Sequence, residues 1–130
     1  MKGTELFYIF TPSQSSPEKD SIILWLNGGP GCSSMSIFLE LVGPAIFFPY
    51  KKDPVLNDYP WNKNDSIFCI DSIGGEGFSK IKDPNFYYDD DIHAVSLNIV
   101  IQNFFKIFSE YQKNVFYLIG VSYAELIYLI

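Results

Sequence analysis

The chain has 130 residues, enough for one domain with a buried core, and 48% apolar with 18% aromatic content excludes a disordered protein. Its net charge of −6 argues against nucleic acid or an anionic membrane surface as the main partner. Two cysteines, Cys32 and Cys69, cannot build a disulfide framework and match no metal-ligand spacing.

The N-terminus, Met1-Lys2-Gly3-Thr4-Glu5, lacks the apolar core of a signal peptide. Glu5 to Thr11 reads as a strand, and Pro12 to Asp20, with two prolines and several Ser and Gln residues, as a loop. Ser21 to Leu26 is a second strand. Its continuous apolarity predicts cover on both faces, as in a parallel sheet flanked by helices.

That strand runs into Asn27-Gly28-Gly29-Pro30-Gly31-Cys32-Ser33-Ser34. Glycines here let the backbone adopt unusual φ values and come very close to a ligand. Stripped of side chains, such a loop can aim N–H groups at a developing oxyanion. The alternative is a plain turn before a capped helix. Ser33 or Ser34 is expected to cap a helix from Met35 to about Val42, which Gly43-Pro44 ends.

Ala45 to Tyr50 is expected to be extended, and Lys51 to Lys63 polar and irregular. Asn64-Asp65-Ser66 is a glycosylation sequon. Ser66 to Asp71 is a third buried strand, in which Cys69 reads as an inert core thiol. It leads into a second glycine-rich loop, Ser72 to Ser79, which carries neither a phosphate-loop nor a dinucleotide fingerprint.

Asp89-Asp90-Asp91 precedes Ile92, Val95, Ile99, Phe104 and Phe108 at helical intervals. The triple Asp reads as a solvated helix start, since acidic groups favour that end of the macrodipole. His93, the only histidine, reads as a surface residue in the first turn. The helix is expected to end near Tyr111.

Val115 to Ile119 is a fourth apolar strand, followed by Gly120-Val121-Ser122-Tyr123-Ala124. A strand leading through a serine-bearing turn into a helix outlines a nucleophile elbow, with Ala124 where the pattern has Gly. The spacing alone is common by chance. The run Val115 to Ile130, interrupted by Gly120, Ser122 and Glu125, is too short to span a bilayer. Strands alternating with helices imply an α/β fold with a largely parallel sheet, in at most one domain over residues 1–130.

Together these residues resemble the serine carboxypeptidase family of α/β-hydrolases. Leu24 to Ser34 reproduces that family's most specific signature. Trp61-Asn62, Asp71-Ser72 with Gly77-Phe78-Ser79, Phe104-Phe105 with Glu110-Tyr111, and Gly120-x-Ser122-Tyr123-Ala124 follow in its order. The resemblance implies hydrolysis of C-terminal peptide bonds through an acyl-enzyme on Ser122, without metal or cofactor. It implies an oxyanion hole from the backbone N–H groups of Gly29 and Tyr123. Asn27, Gly28 and Glu40 would hold the carboxylate of a peptide or protein substrate with a free C-terminus. It implies a secreted, vacuolar or lysosomal setting and, for Cys32, pairing with a distal cysteine that this sequence is expected to lack. An acyltransferase using the same serine, and an inactive paralogue or binding module, are the alternatives.

Several positions depart from the family. Glu40 stands one residue farther from Gly43-Pro44 than the pattern asks. Val121 replaces a glutamate that helps bind the substrate carboxylate, a loss of about 1.5–3 kcal/mol for that interaction. Glu125 replaces a glycine at a tight contact. The order Ser…Asp…His places both triad partners after Ser122, where this sequence has neither. The chain is therefore expected to be a portion of a longer hydrolase fold, inactive by itself. Leu126 to Ile130 is expected to be an apolar helix of roughly two turns, and the elbow strand an exposed edge.

Overall fold

The computed structural model describes residues 3–127. The elements in order are β1 (Thr4–Glu5), β2 (Tyr8–Thr11), β3 (Ile22–Leu26), α1 (Ser34–Ile37), β4 (Ala45–Ile46), β5 (Val55–Leu56), β6 (Ser66–Ile70), β7 (Lys80–Ile81), α2 (Asp90–Ile107), β8 (Phe116–Gly120) and α3 (Ala124–Ile127). The expected first strand divides in two. Thr4–Glu5 pairs with β7, while Tyr8–Thr11 joins the main sheet.

That sheet has four strands in the order β2-β6-β3-β8. β3 pairs parallel with both β6 and β8, and β2 pairs antiparallel with β6. The sheet is thus mixed, with an antiparallel strand at one edge. β1–β7 and β4–β5 form two small antiparallel pairs beside it.

Two cores explain why β3 is apolar throughout and β6 is apolar from Ile67 to Ile70. Ile22, Leu24, Leu26, Phe68 and Ile70 point to one face and pack with Leu97 and Phe104 of α2. Trp25, Ile67 and Cys69 point to the other and pack with Met35, Phe38 and Val42. Side chains alternate across a strand, so one apolar run serves both cores. Phe104 stacks on Phe68 at 4.4 Å between ring centroids and lies 4.8 Å from Phe10. Burying such a ring contributes about 1.5–3 kcal/mol.

α1 is capped by Ser33, whose Oγ accepts from the N–H of Met35. It continues into a π-helical turn over Phe38–Val42, closed by the Gly43 N–H donating to the Phe38 carbonyl at 3.0 Å. Asp89 caps α2 through its Oδ1, which accepts from the Ile92 N–H at 2.8 Å. A short 3₁₀ turn at Ser109–Tyr111 completes the expected helix. The extended segment expected over Ala45 to Tyr50 is reduced to the two residues of β4.

The surface position expected of His93 is corrected: it is buried, 5% exposed, because α2 turns its first-turn residue inward against Tyr88. β8, an apolar run, is the sheet edge among the described residues, as expected for the elbow strand, with Tyr117 and Leu118 about half exposed. Apolarity reports a capacity for burial, and the neighbour that would use it is a tertiary matter. Only the start of the expected apolar C-terminal helix, α3, is described; residues 128–130 lie outside the described residues.

Candidate active site

The elbow is built by backbone conformation. Ser122 has φ +60°, the only positive value at a non-glycine position among the described residues. That region costs an L-residue on the order of 1–2 kcal/mol. Position 122 is held there from both sides. The Val121 N–H donates to the Leu26 carbonyl at 3.3 Å, and the Ala124 and Glu125 N–H groups donate back to Val121 and Ser122. Ser122 is exposed at the turn, while Ala124 is buried against the α2 core.

The glycine loop meets this turn at atomic contact. A Cβ on Gly28 would lie 2.3 Å from the Val121 carbonyl oxygen, 2.7 Å from the Tyr123 nitrogen and 3.0 Å from the Ser122 Cβ. Only glycine fits there. Gly29 and Gly31 have φ +117° and +92°, and the Cys32 N–H closes the loop onto the Gly28 carbonyl at 3.0 Å. The four expected residues Gly28, Gly29, Ser122 and Tyr123 therefore occupy one corner, above the C-terminal ends of the parallel strands β3 and β8.

Asn27 is engaged within its own loop. Its Oδ1 accepts from Trp25 Nε1 at 2.7 Å, and its Nδ2 donates to the Ser33 carbonyl at 2.8 Å and to Ser36 Oγ at 3.2 Å. Of these, the Ser36 contact is exposed and could exchange for another acceptor. Glu40 lies exposed on the π-helical turn, with no hydrogen bond to the loop among the described residues. Val121 is exposed beside Ser122. Glu125 is also exposed, so its charge stays in water.

Asp71 is the structural support that sequence reasoning treated only as part of a motif. Fully buried at the end of β6, it accepts at Oδ1 from Ser33 Oγ (2.7 Å) and the Ser34 N–H (3.0 Å). Its Oδ2 accepts from the Phe78 N–H at 2.9 Å. One carboxylate so ties the glycine loop to the Ser72–Ser79 loop. Gly77 closes over it, since a Cβ there would fall 2.1 Å from Asp71 Oδ2. The signal was an acid at the end of a strand opposite a Ser-Ser pair.

Glu76 is packed near Asp71. Its Oε2 accepts from the Ile73 N–H at 3.3 Å, while Oε1 is buried with no hydrogen-bond partner among the described residues. Burial first, and the Asp71 charge second, push its carboxyl up to about 8. Cys69 is pushed up to about 12 by burial and by Asp71, which leaves its thiol inert. Cys32 is an exposed free thiol. No group of three His, Cys, Asp or Glu among the described residues is placed to hold a metal ion.

A strained serine between strand and helix, abutted by a glycine loop from the neighbouring parallel strand, defines the α/β-hydrolase class of site. The serine carboxypeptidase family matches residues 1–127, and the chain belongs to that family. It is 41% identical over 128 residues to serine carboxypeptidase-like 20 of Arabidopsis thaliana, covering 94% of this chain and 26% of that protein. It is 43% identical over 121 residues to carboxypeptidase Y homolog A of Aspergillus niger, covering 92% and 21%. Identity to the lysosomal protective protein of Mus musculus is 38% over 118 residues, covering 90% and 25%. The solved structure of Kex1(delta)p, a prohormone-processing carboxypeptidase from Saccharomyces cerevisiae, superposes with a TM-score of 0.75 at 31% identity. That match covers 92% of this chain and 27% of the other. The chain thus spans about a quarter of the length of these relatives.

Proposed function

We propose that Ser122 is the nucleophile of a serine-type carboxypeptidase, of which this chain supplies the nucleophile and the oxyanion donors. The Ser122 hydroxyl would attack the carbonyl carbon of the last peptide bond. The Tyr123 and Gly29 N–H groups would receive the oxyanion, the C-terminal residue would leave, and water would release the acyl group. The observation that carries this reading is the strained φ of Ser122 together with a glycine loop that fits only without a Cβ.

Asn27, Gly28 and Glu40 remain the proposed carboxylate contacts. For Asn27 this means exchanging its bond to Ser36 for one to the substrate. Val121 cannot donate a hydrogen bond there, so preference for a free C-terminus is weak. Introducing Val121→Glu should raise the kcat/KM ratio of free-acid over amidated peptides about tenfold or more, from the 1.5–3 kcal/mol of one charged hydrogen bond. An equal and strong preference in both forms would remove this part of the reading.

The sequence after Ser122 supplies neither the Asp nor the His of a triad. A non-catalytic paralogue is the second reading, favoured by Val121. A fluorophosphonate probe separates them. A product that supplies an acid and a base after Ser122 should be labelled, and Ser122→Ala should abolish the label. Absence of label in that product favours the paralogue. The working compartment is proposed as secreted, vacuolar or lysosomal, where the exposed Asn64 sequon would be open to glycosylation. No helix among the described residues is long and apolar enough to cross a membrane.

A further inference from the structure

Glu76 is a buried acid that the acyl-transfer chemistry does not use. It stands in the Ser72–Ser79 loop, 5% exposed, with its carbonyl accepting from the Ser79 N–H at 2.8 Å. Its Oε1 is buried with no hydrogen-bond partner among the described residues. A neutral carboxyl tolerates such a position, whereas a carboxylate short of donors does not. Two glycines flank it, Gly75 at φ +89° and Gly77 at φ +50°. Glycine enters and leaves that region of φ more freely than any other residue, so Glu76 sits between two backbone pivots.

The neighbours decide what its charge would do. Asp71, at the end of β6, is the one charged group acting on it among the described residues, and it disfavours ionisation. Cys69, also on β6, stays a neutral thiol. The Ile73 N–H of its own loop and the Ser34 N–H of the glycine loop favour ionisation, and no cation helps them. Ser34 is the shared point. Its N–H already donates to Asp71 Oδ1 at 3.0 Å, so a charged Glu76 would compete with Asp71 for one donor. The Phe78 N–H, two residues after Glu76, donates to Asp71 Oδ2 at 2.9 Å, and Gly77 lies against that same oxygen. Swinging Glu76 out to water about its two glycines therefore pulls on the contacts that join the two loops.

We propose that Glu76 is a positioning residue: neutral, it lets Asp71 clasp the glycine loop at the elbow; ionised, it turns out to water and releases the clasp. The released loop carries the Gly28 and Gly29 N–H groups. Any effect on acyl transfer rests on the reading of Ser122 as nucleophile; the loop switch itself does not. Burial first, and Asp71 second, raise the Glu76 carboxyl to about 8, so the clasp is closed in acid and opens as pH rises through that value.

Proton–nitrogen correlation NMR of the full chain across that pH range tests this. The Gly29, Ser34 and Phe78 amides should move together with one inflection near pH 8, while Leu24 and Phe68 in the sheet stay in place. Glu76→Gln should remove the inflection, and Glu76→Met, neutral and of similar length, should do the same. Static Ser34 and Phe78 amides, or an inflection kept in both variants, would overturn the proposal. So would passage of the whole spectrum to unfolded positions at that pH. In a product with an acid and a base after Ser122, fluorophosphonate labelling gives a second readout. Between about pH 6 and 9 the wild-type rate should fall about tenfold farther than that of Glu76→Gln, since one unit above the midpoint about a tenth of the acid stays neutral. Matching pH profiles would overturn the positioning role. Absence of labelling with the amide inflection retained would remove the enzyme reading and leave the loop switch.

Discussion

At the scale of single residues, the corner is governed by two exclusions. Position 28 excludes any side chain, because the Val121 carbonyl and the Tyr123 nitrogen already occupy the space. Position 122 excludes relaxed backbone, and a serine is kept there in a region that glycine would occupy at little cost. Ser122→Gly should therefore stabilise the fold by up to about 1 kcal/mol, the relieved strain less the added freedom of the unfolded chain. Ser122→Ala, which keeps a Cβ, should change stability by less than about 0.5 kcal/mol. Urea unfolding of both variants checks this; identical midpoints would mean that the turn stores no strain. The serine itself was legible from its Gly-x-Ser-x-Ala setting. The burial of His93 was not, since a lone polar residue beside three aspartates reads as solvated until the packing of Tyr88 is known.

At the scale of elements, the two glycine-rich loops work as one unit because Asp71 accepts from both. Three hydrogen bonds end on its carboxylate, and its charge opposes a second charge on the neighbouring Glu76. Glu76 is accordingly raised, from 4.5 to about 8, and the fold favours its neutral form. The stability due to that group is complete below about pH 4.5 and is lost as pH rises through about 8. Glu76→Gln, permanently neutral, should be nearly as stable as wild type at pH 4.5 and increasingly more stable toward pH 8. Denaturant midpoints across that range provide the measurement, and parallel curves would contradict it. The second loop was visible in sequence as a run of glycines; its coupling to the first through one buried acid was not, because the partners lie nearly 40 positions apart.

For the whole molecule, the mixed sheet places its two most buried strands, β3 and β6, in the middle and leaves β8 at an edge among the described residues. Tyr117 and Leu118 expose apolar surface on its two faces, and an edge strand with exposed apolar surface is a template for further strands. Leu118→Lys should lower self-association at high concentration while costing about 1 kcal/mol or less in stability. Sedimentation velocity compares the two proteins. An unchanged distribution would show that β8 is not the sticky edge.

What the sequence determined by itself was local and repetitive. Apolar runs in β3 and β6 specified strands covered on both faces, the triple Asp89-Asp90-Asp91 and the pair Ser33-Ser34 marked helix starts, and the glycine loop and elbow specified the family and the chemistry it implies. These rest on spacing between near neighbours, which a linear chain displays directly. Only the tertiary structure decided that the first strand divides, that β2 runs antiparallel, and that His93 turns inward toward Tyr88. It alone showed that Asp71 fastens the glycine loop to the Ser72–Ser79 loop. Each of these depends on which distant segments share a surface, and burial, charge coupling and close approach are properties of that shared surface.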